Sequence, residues 1–110
     1  MSGPKDAAAA KVWSIQCMGC DAWKIAGHMS QRMLERGISF EDVRSVLLAP
    51  TRIDPDAGMP EHGGTKWRMR GKSLDSETLI VVVEMFEDGG KWIMLITVFA
   101  DDTKTKQVKK

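Results

Sequence analysis

Thr78-Leu-Ile-Val-Val-Val-Glu-Met-Phe86 and Lys91-Trp-Ile-Met-Leu-Ile-Thr-Val-Phe99, joined by Glu87-Asp-Gly-Gly90, decide how this chain folds. Both flanks are rich in β-branched and aromatic residues, and the joint ends in paired glycines, so the spacing predicts two strands and a hairpin loop. Each strand is apolar on both faces. Such strands lie in mid-sheet, with helices on one face and something else on the other. The second cover is expected to be either the N-terminal segment or a second copy of the chain in a homodimer.

Working backwards, residues 66–72 alternate strictly and predict a third strand. A short strand is expected at 51–54. Between them, residues 55–65 read as a loop broken by Pro55, Gly58, Pro60, Gly63 and Gly64. A helix is expected over 21–36, with Asp21 as N-cap and Gly37 as the residue after its end. Ala22, Ile25, Ala26, Met29 and Met33 would form its core face, and Gly27 would weaken its middle by about 1 kcal/mol relative to alanine. A second, short helix follows Ser39-Phe-Glu-Asp42, which resembles a capping box with Asp in place of Glu. Phe40, Val43, Val46 and Leu47 form its stripe, and Pro50 ends it. Only Gly37 and Ile38 separate the two helices, which predicts a tight helix pair. Residues 1–10 read as a flexible lead, and 11–17 fit either a strand or a helical turn. The expected organisation is a partly flexible lead (1–20), one α+β domain (21–100) and a polar, basic tail (101–110). The fold class is α+β: two N-terminal helices packed on a three- to five-stranded antiparallel sheet.

Bulk properties agree with one domain. The chain has 110 residues, enough for one core and too few for two. Its formal net charge is +1, which weighs against a partner held by electrostatics alone. The charge is unevenly placed, however: four lysines fall in the last seven residues, and four cations without an intervening acid fall between Lys66 and Lys72. No apolar run approaches the roughly 20 residues of a membrane helix, so no membrane segment is expected. Met1-Ser-Gly-Pro-Lys-Asp6 lacks the order of a signal peptide. Cys17-Met-Gly-Cys20 fits a redox pair, half a zinc site or two free thiols. His28 and His62 give no usual zinc spacing, and the downstream pattern is not that of a redox βαβ unit, so inert thiols and no metal are expected.

Three groups of residues can carry chemistry. His28, Arg32 and Arg36 step along the first helix at i, i+4 and i+8 and border its apolar face, where they form either a solvated edge near Glu35 or a row reaching over the sheet. Lys66, Arg68, Arg70 and Lys72 project from one face of a strand, with Trp67 and Met69 on the other. Four such cations suit phosphates, and arginine adds a bidentate fork. They equally suit an edge strand guarded by charge. Thr97 interrupts an apolar run, where threonine is at ease as a strand residue. It would also complete a polar cluster if it faced His28. Such a cluster fits RNA cleavage, in which the 2′-hydroxyl attacks the neighbouring phosphate. That reaction needs a base, an acid and cations for the phosphate oxygens, and no metal.

These residues carry a resemblance. His28-Met-Ser-Gln-Arg32-Met-Leu-Glu-Arg36-Gly-Ile-Ser-Phe-Glu-Asp-Val43 looks like the opening of the bacterial domain-of-unknown-function 4258 family, and Trp67-Arg-Met-Arg-Gly71 and Leu95-Ile-Thr-Val-Phe99 agree with it. That family is similar to the RelE-like toxins and to the broader barnase, EndoU, colicin and RelE (BECR) fold, typically metal-independent ribonucleases of toxin–antitoxin pairs and contact-dependent toxins. The resemblance implies an endoribonuclease cleaving tRNA or ribosome-associated RNA without a cofactor. His28 would be general acid or base. Arg32 and Arg70 would hold the phosphate, and Thr97 would orient the substrate. Arg36, Lys66, Arg68 and Lys72 would assist in binding it. It also implies an antitoxin or immunity protein as partner and a cytoplasmic site of action, with delivery as the C-terminal part of a secreted toxin as one route. The chain departs from related toxins in its near-neutral charge and in having no tyrosine. The competing reading is a non-catalytic RNA- or protein-binding module of such a system.

Overall fold

The computed structural model describes residues 4–56, 58, 62–74 and 77–100, apart from the side chains of His28 and Ala100. The expected tail at 101–110 and residues 57 and 59–61 of the expected loop lie outside the described residues. The order of elements is α1 (Ala7–Gly19), β1 (Trp23–Ile25), α2 (Gly27–Arg36), α3 (Phe40–Leu48), β2 (Arg52–Pro55), β3 (Thr65–Lys72), β4 (Thr78–Asp88) and β5 (Lys91–Ala100). The class is α+β. The strands form one sheet in the order β1-β5-β4-β3-β2.

The strand pattern of the C-terminal half is realised closely. β4 and β5 pair antiparallel from Leu79↔Ala100 to Asp88↔Lys91. They are joined through Gly89 and Gly90, whose φ angles of 61° and 84° are both positive. A two-residue turn of that hand matches strand twist and favours glycine at both positions. β3 pairs antiparallel with β4 and with β2. Alternation sends Trp67, Met69 and Gly71 to one face, with Val81, Val83 and Met85 of β4 and Met94, Ile96 and Val98 of β5. All of these are buried, as glycine's place in the pattern also requires. Gly71 admits close approach of α3, since a Cβ there would sit 3.2 Å from Cγ1 of Val46. Met69 Sδ meets the Ser14 hydroxyl of α1 at 3.9 Å. α1 and α3 therefore cover this face.

Several expectations fail at the N-terminal side. The sheet is mixed, not antiparallel: β1 runs parallel to β5, with Trp23↔Met94 and Ile25↔Ile96. There are three helices, not two, and β1 lies between the first and the second. Residues 7–19, assigned to a lead and an ambiguous segment, form α1, capped by the Asp6 carboxylate accepting from Ala9 N at 2.8 Å. Its buried stripe is Ala10, Ser14 and Cys17, all small, while Val12 and Ile15 face outward. An inward face of small residues gives little apolar periodicity to read. The helix expected over 21–36 begins instead at Gly27. Asp21 is no N-cap; its φ of 55° places it in the left-handed turn after α1. Gly27 opens the helix rather than interrupting it. Three residues of β1 occupy the stretch between, held by Met94 N donating to Ala22 O and Ala26 N to Ile96 O. Periodicity cannot reveal a strand so short, because its pairing is with residues some 70 positions away.

α3 matches its expectation. Ser39 Oγ accepts from Asp42 N, Asp42 Oδ2 accepts from Ser39 N at 2.9 Å, and Gly37 adopts φ 70° after α2. Asp42 Oδ1 also accepts from Leu74 N at 3.0 Å, tying the start of α3 to the β3–β4 connection. α3 packs on α1 and β3, and α2 on β5, rather than chiefly on each other.

Candidate nucleic-acid interface

The sheet face opposite α1 and α3 carries the side chains of interest. Alternation places Arg52 and Asp54 of β2 here, with Lys66, Arg68, Arg70 and Lys72 of β3, Ile80, Val82, Glu84 and Phe86 of β4, and Leu95, Thr97 and Phe99 of β5. The ladders set them in rows. Asp54, Arg68, Val82 and Thr97 form one row, and Arg52, Arg70, Ile80 and Phe99 the next. Arg68 and Thr97 are thus two strand spacings apart, about 10 Å between backbones, with Val82 between them.

Four of the expected site residues, Arg32, Arg36, Arg68 and Arg70, fall into two clefts. Arg52, Asp54, Arg68 and Arg70 line a depression of about 190 Å³ over β2 and β3. Arg32 and Arg36, with Met29, Met33, Ile38, Val98 and Phe99, line one of about 170 Å³ where α2 meets the end of β5. Phe99 belongs to the second cleft and to the Arg52–Arg70 row, so it stands between the two. Thr97 lies one row away. The backbone of His28 is in the first turn of α2, two residues after Ala26, whose N–H donates to Ile96 O beside Thr97. Its side chain is outside the described atoms.

The cations have carboxylate neighbours. Asp56 stands between two of them, with Oδ1 3.2 Å from an Arg68 guanidinium nitrogen and Oδ2 3.8 Å from Lys66 Nζ. Arg52 Nε donates to Asp54 Oδ2 at 2.7 Å. Lys72 Nζ donates to Thr78 Oγ1 at 3.2 Å, at the far end of β3. The face therefore has less positive charge than its four β3 cations suggest, yet Arg52 and Arg70 still oppose each other directly.

Sequence reasoning passed over Arg52, Asp54, Asp56, His62 and Glu84. Glu84 is nearly fully buried although it belongs to this face. His62 N donates to its Oε2 at 2.7 Å, Gly64 N donates to the same oxygen at 3.3 Å, and His62 Nδ1 lies 3.5 Å from Oε1. The His62 ring stacks on Phe86, with centroids 4.4 Å apart and planes 15° from parallel. One acidic residue inside Leu79–Phe86 was the available signal, because a carboxylate within an apolar strand requires partners.

Cys17 is buried and Cys20 exposed, both as free thiols at the end of α1. Burial, and secondarily the neighbouring Cys20, push the Cys17 thiol above its ordinary pKa. Among the described residues, no three His, Cys, Asp or Glu side chains gather as a metal site, and no helix is long and apolar enough to cross a membrane.

The helix–sheet arrangement with one charged sheet face defines a small α+β domain. The chain belongs to the family described as Domain of unknown function (DUF4258), whose profile matches residues 25–100, more than half of its length. The match begins at the last residue of β1 and ends with β5, so α1 precedes it. No curated protein matches the chain.

Proposed function

We propose that this domain is a metal-independent endoribonuclease of the toxin type, acting on tRNA or ribosome-associated RNA by 2′-hydroxyl attack on the adjacent phosphate. The observation that carries the reading is the direct cross-strand pairing of Arg52 with Arg70, beside Arg68 on the same sheet face. Like charges placed opposite each other destabilise a sheet, and a phosphate would add its charge to that of Asp54, which already accepts from Arg52. Two arginine forks suit the planar, multidentate recognition of phosphate. Similarity of the family to RelE-like and BECR-fold toxins supports the chemistry. Within it, Arg70 holds the phosphate with Arg68 of its own cleft in place of the expected Arg32, which lines the other cleft with Arg36 and binds the flanking backbone. Thr97 orients the substrate, and His28 transfers a proton. A cognate antitoxin or immunity protein would mask the same face, and action on RNA would take place in the cytoplasm.

The direct test is incubation with tRNA and ribosomal RNA in the presence of a chelator, beside a His28→Ala variant. The expected result is cleavage by the wild type with 2′,3′-cyclic phosphate ends, and a His28→Ala rate lower by about 10²–10⁴, the usual worth of a general acid or base. Intact RNA with every substrate overturns the reading.

The pairing of Asp56 with both Arg68 and Lys66 favours a second reading, a non-catalytic RNA- or protein-binding module whose face is already half neutralised. RNA binding without cleavage would select it.

A further inference from the structure

We propose that His62, held by Glu84 and stacked on Phe86, is a second proton-transfer group of this sheet face and acts as the general base toward the 2′-hydroxyl. The inference rests on the ribonuclease reading above and assigns it a residue that neither the family resemblance nor the sequence spacing supplied.

Three observations carry it. First, the carboxylate is built in rather than incidental. Glu84 is 3 % exposed, and backbone N–H groups of His62 and Gly64 both donate to its Oε2. Two backbone N–H donors on one oxygen hold the carboxyl group in place. Its other oxygen faces His62 Nδ1 at 3.5 Å. A carboxylate at Nδ1 favours a proton on that nitrogen and so leaves Nε2 as the acceptor, the division of labour in which a buried carboxylate orients an imidazole base. Secondly, the ring is fixed and accessible together. It lies flat on Phe86, yet the His62 side chain is 46 % exposed. Thirdly, the surroundings suit a phosphodiester. Glu84 pairs directly with Lys66, and Arg68 is the next residue along β3 on the same face, about 7 Å further. Among the described residues, the charged groups on this part of the face are Glu84 from β4, Lys66 and Arg68 from β3, and Asp56 just after β2, which bridges the two cations. Gly64 makes the arrangement possible, since a Cβ there would collide with the Met85 carbonyl oxygen.

In the proposed step, the 2′-oxygen bonds to phosphorus as its proton passes to His62 Nε2. The bond from phosphorus to the 5′-oxygen breaks, leaving a 2′,3′-cyclic phosphate. The 5′-oxygen takes its proton from His28, the proton-transfer residue of the reading above, and exchange with solvent then removes the proton from His62 and returns one to His28. Lys66 and Arg68 face the phosphate oxygens throughout.

The test measures single-turnover cleavage and equilibrium binding of one RNA by wild type, His62→Ala and Glu84→Gln, with and without added imidazole, and the melting temperature of each. The inference expects His62→Ala to cleave at least 100-fold more slowly with RNA affinity within about threefold of wild type. It also expects imidazole to restore part of the rate, and Glu84→Gln to slow cleavage by a smaller factor. Wild-type cleavage with His62→Ala retaining more than half the rate overturns the inference and leaves the ribonuclease reading standing. A slow His62→Ala that imidazole does not rescue and that melts lower marks a loop-fastening residue, which also overturns it. A wild type that binds RNA and leaves it intact overturns the ribonuclease reading and this inference with it.

Discussion

Arg52 and Arg70 face each other directly across the β2–β3 ladder, on the sheet face that α1 and α3 leave uncovered. A cross-strand pair of like charge costs a few tenths to about 1 kcal/mol. In Arg52 the cost is partly offset by its 2.7 Å contact with Asp54, an exposed ion pair worth about 0–1 kcal/mol. Arg52→Ala removes both terms, so its urea midpoint should stay close to wild type while RNA binding weakens. Removing one phosphate-binding cation should lower the slope of log affinity against log salt by about 1. An unchanged slope would detach Arg52 from the binding face.

Asp56 should compete with substrate. Its carboxylate lies against Arg68 and Lys66, where a phosphate would lie. Asp56→Ala is expected to tighten RNA binding several-fold, most clearly at low salt where charge contacts are least screened. Weaker binding in a folded Asp56→Ala protein would mean that the carboxylate positions the cations instead of occupying them.

Asp42 links the start of α3 to the β3–β4 connection. It completes the α3 capping box and accepts from Leu74 N. Loss of a cap and of a second hydrogen bond should make Asp42→Ala about 1–3 kcal/mol less stable. The Ser39 backbone N–H first, then the Leu74 N–H and the Ser39 hydroxyl, hold its pKa below the ordinary value against the opposing effect of burial. A depressed folded-state pKa gives stability that is full above the unfolded value of about 3.9 and is lost as pH falls through the folded value. Denaturation at pH 7 and pH 3 should therefore show the wild-type advantage over Asp42→Asn shrinking at the lower pH.

Much of this architecture was legible in the sequence, and the parts that were not share a physical cause. The alternation of β3, the double-glycine hairpin of β4 and β5, the Ser39–Asp42 cap and the Gly37 stop are local signals, and each is realised. α1 hid because its buried stripe is Ala10, Ser14 and Cys17. β1 hid because three residues carry no period and its partner is at the other end of the chain. At the site, the cation row on β3 followed from alternation, but its partners did not. Arg52, Asp54 and Asp56 reach it through sheet pairing, and His62 reaches Glu84 through a loop closed over 22 residues. The clustering of Arg32 with Arg36 was also readable from helical spacing, whereas their separation from Arg68 and Arg70 by the width of β4 and Phe99 required the strand order.

The two cysteines should differ in reactivity. The thiolate is the reactive form, and burial keeps the Cys17 pKa raised. A thiol reagent at pH 8 should modify one residue, Cys20, rapidly and Cys17 only after unfolding. Two fast equivalents in the folded protein would contradict the packing of the end of α1 against β5.

The central claim is that the sheet face bearing Arg52, Arg68 and Arg70 binds RNA and cleaves it. Its most direct measurement is chelator-treated cleavage of tRNA and ribosomal RNA by the wild type and by an Arg68→Ala/Arg70→Ala variant of unchanged melting temperature. Cleavage to 2′,3′-cyclic phosphate ends by the wild type, lost by at least 100-fold in the double variant, is the expected result. Intact RNA with the wild type, or cleavage by the double variant at the wild-type rate, would contradict it.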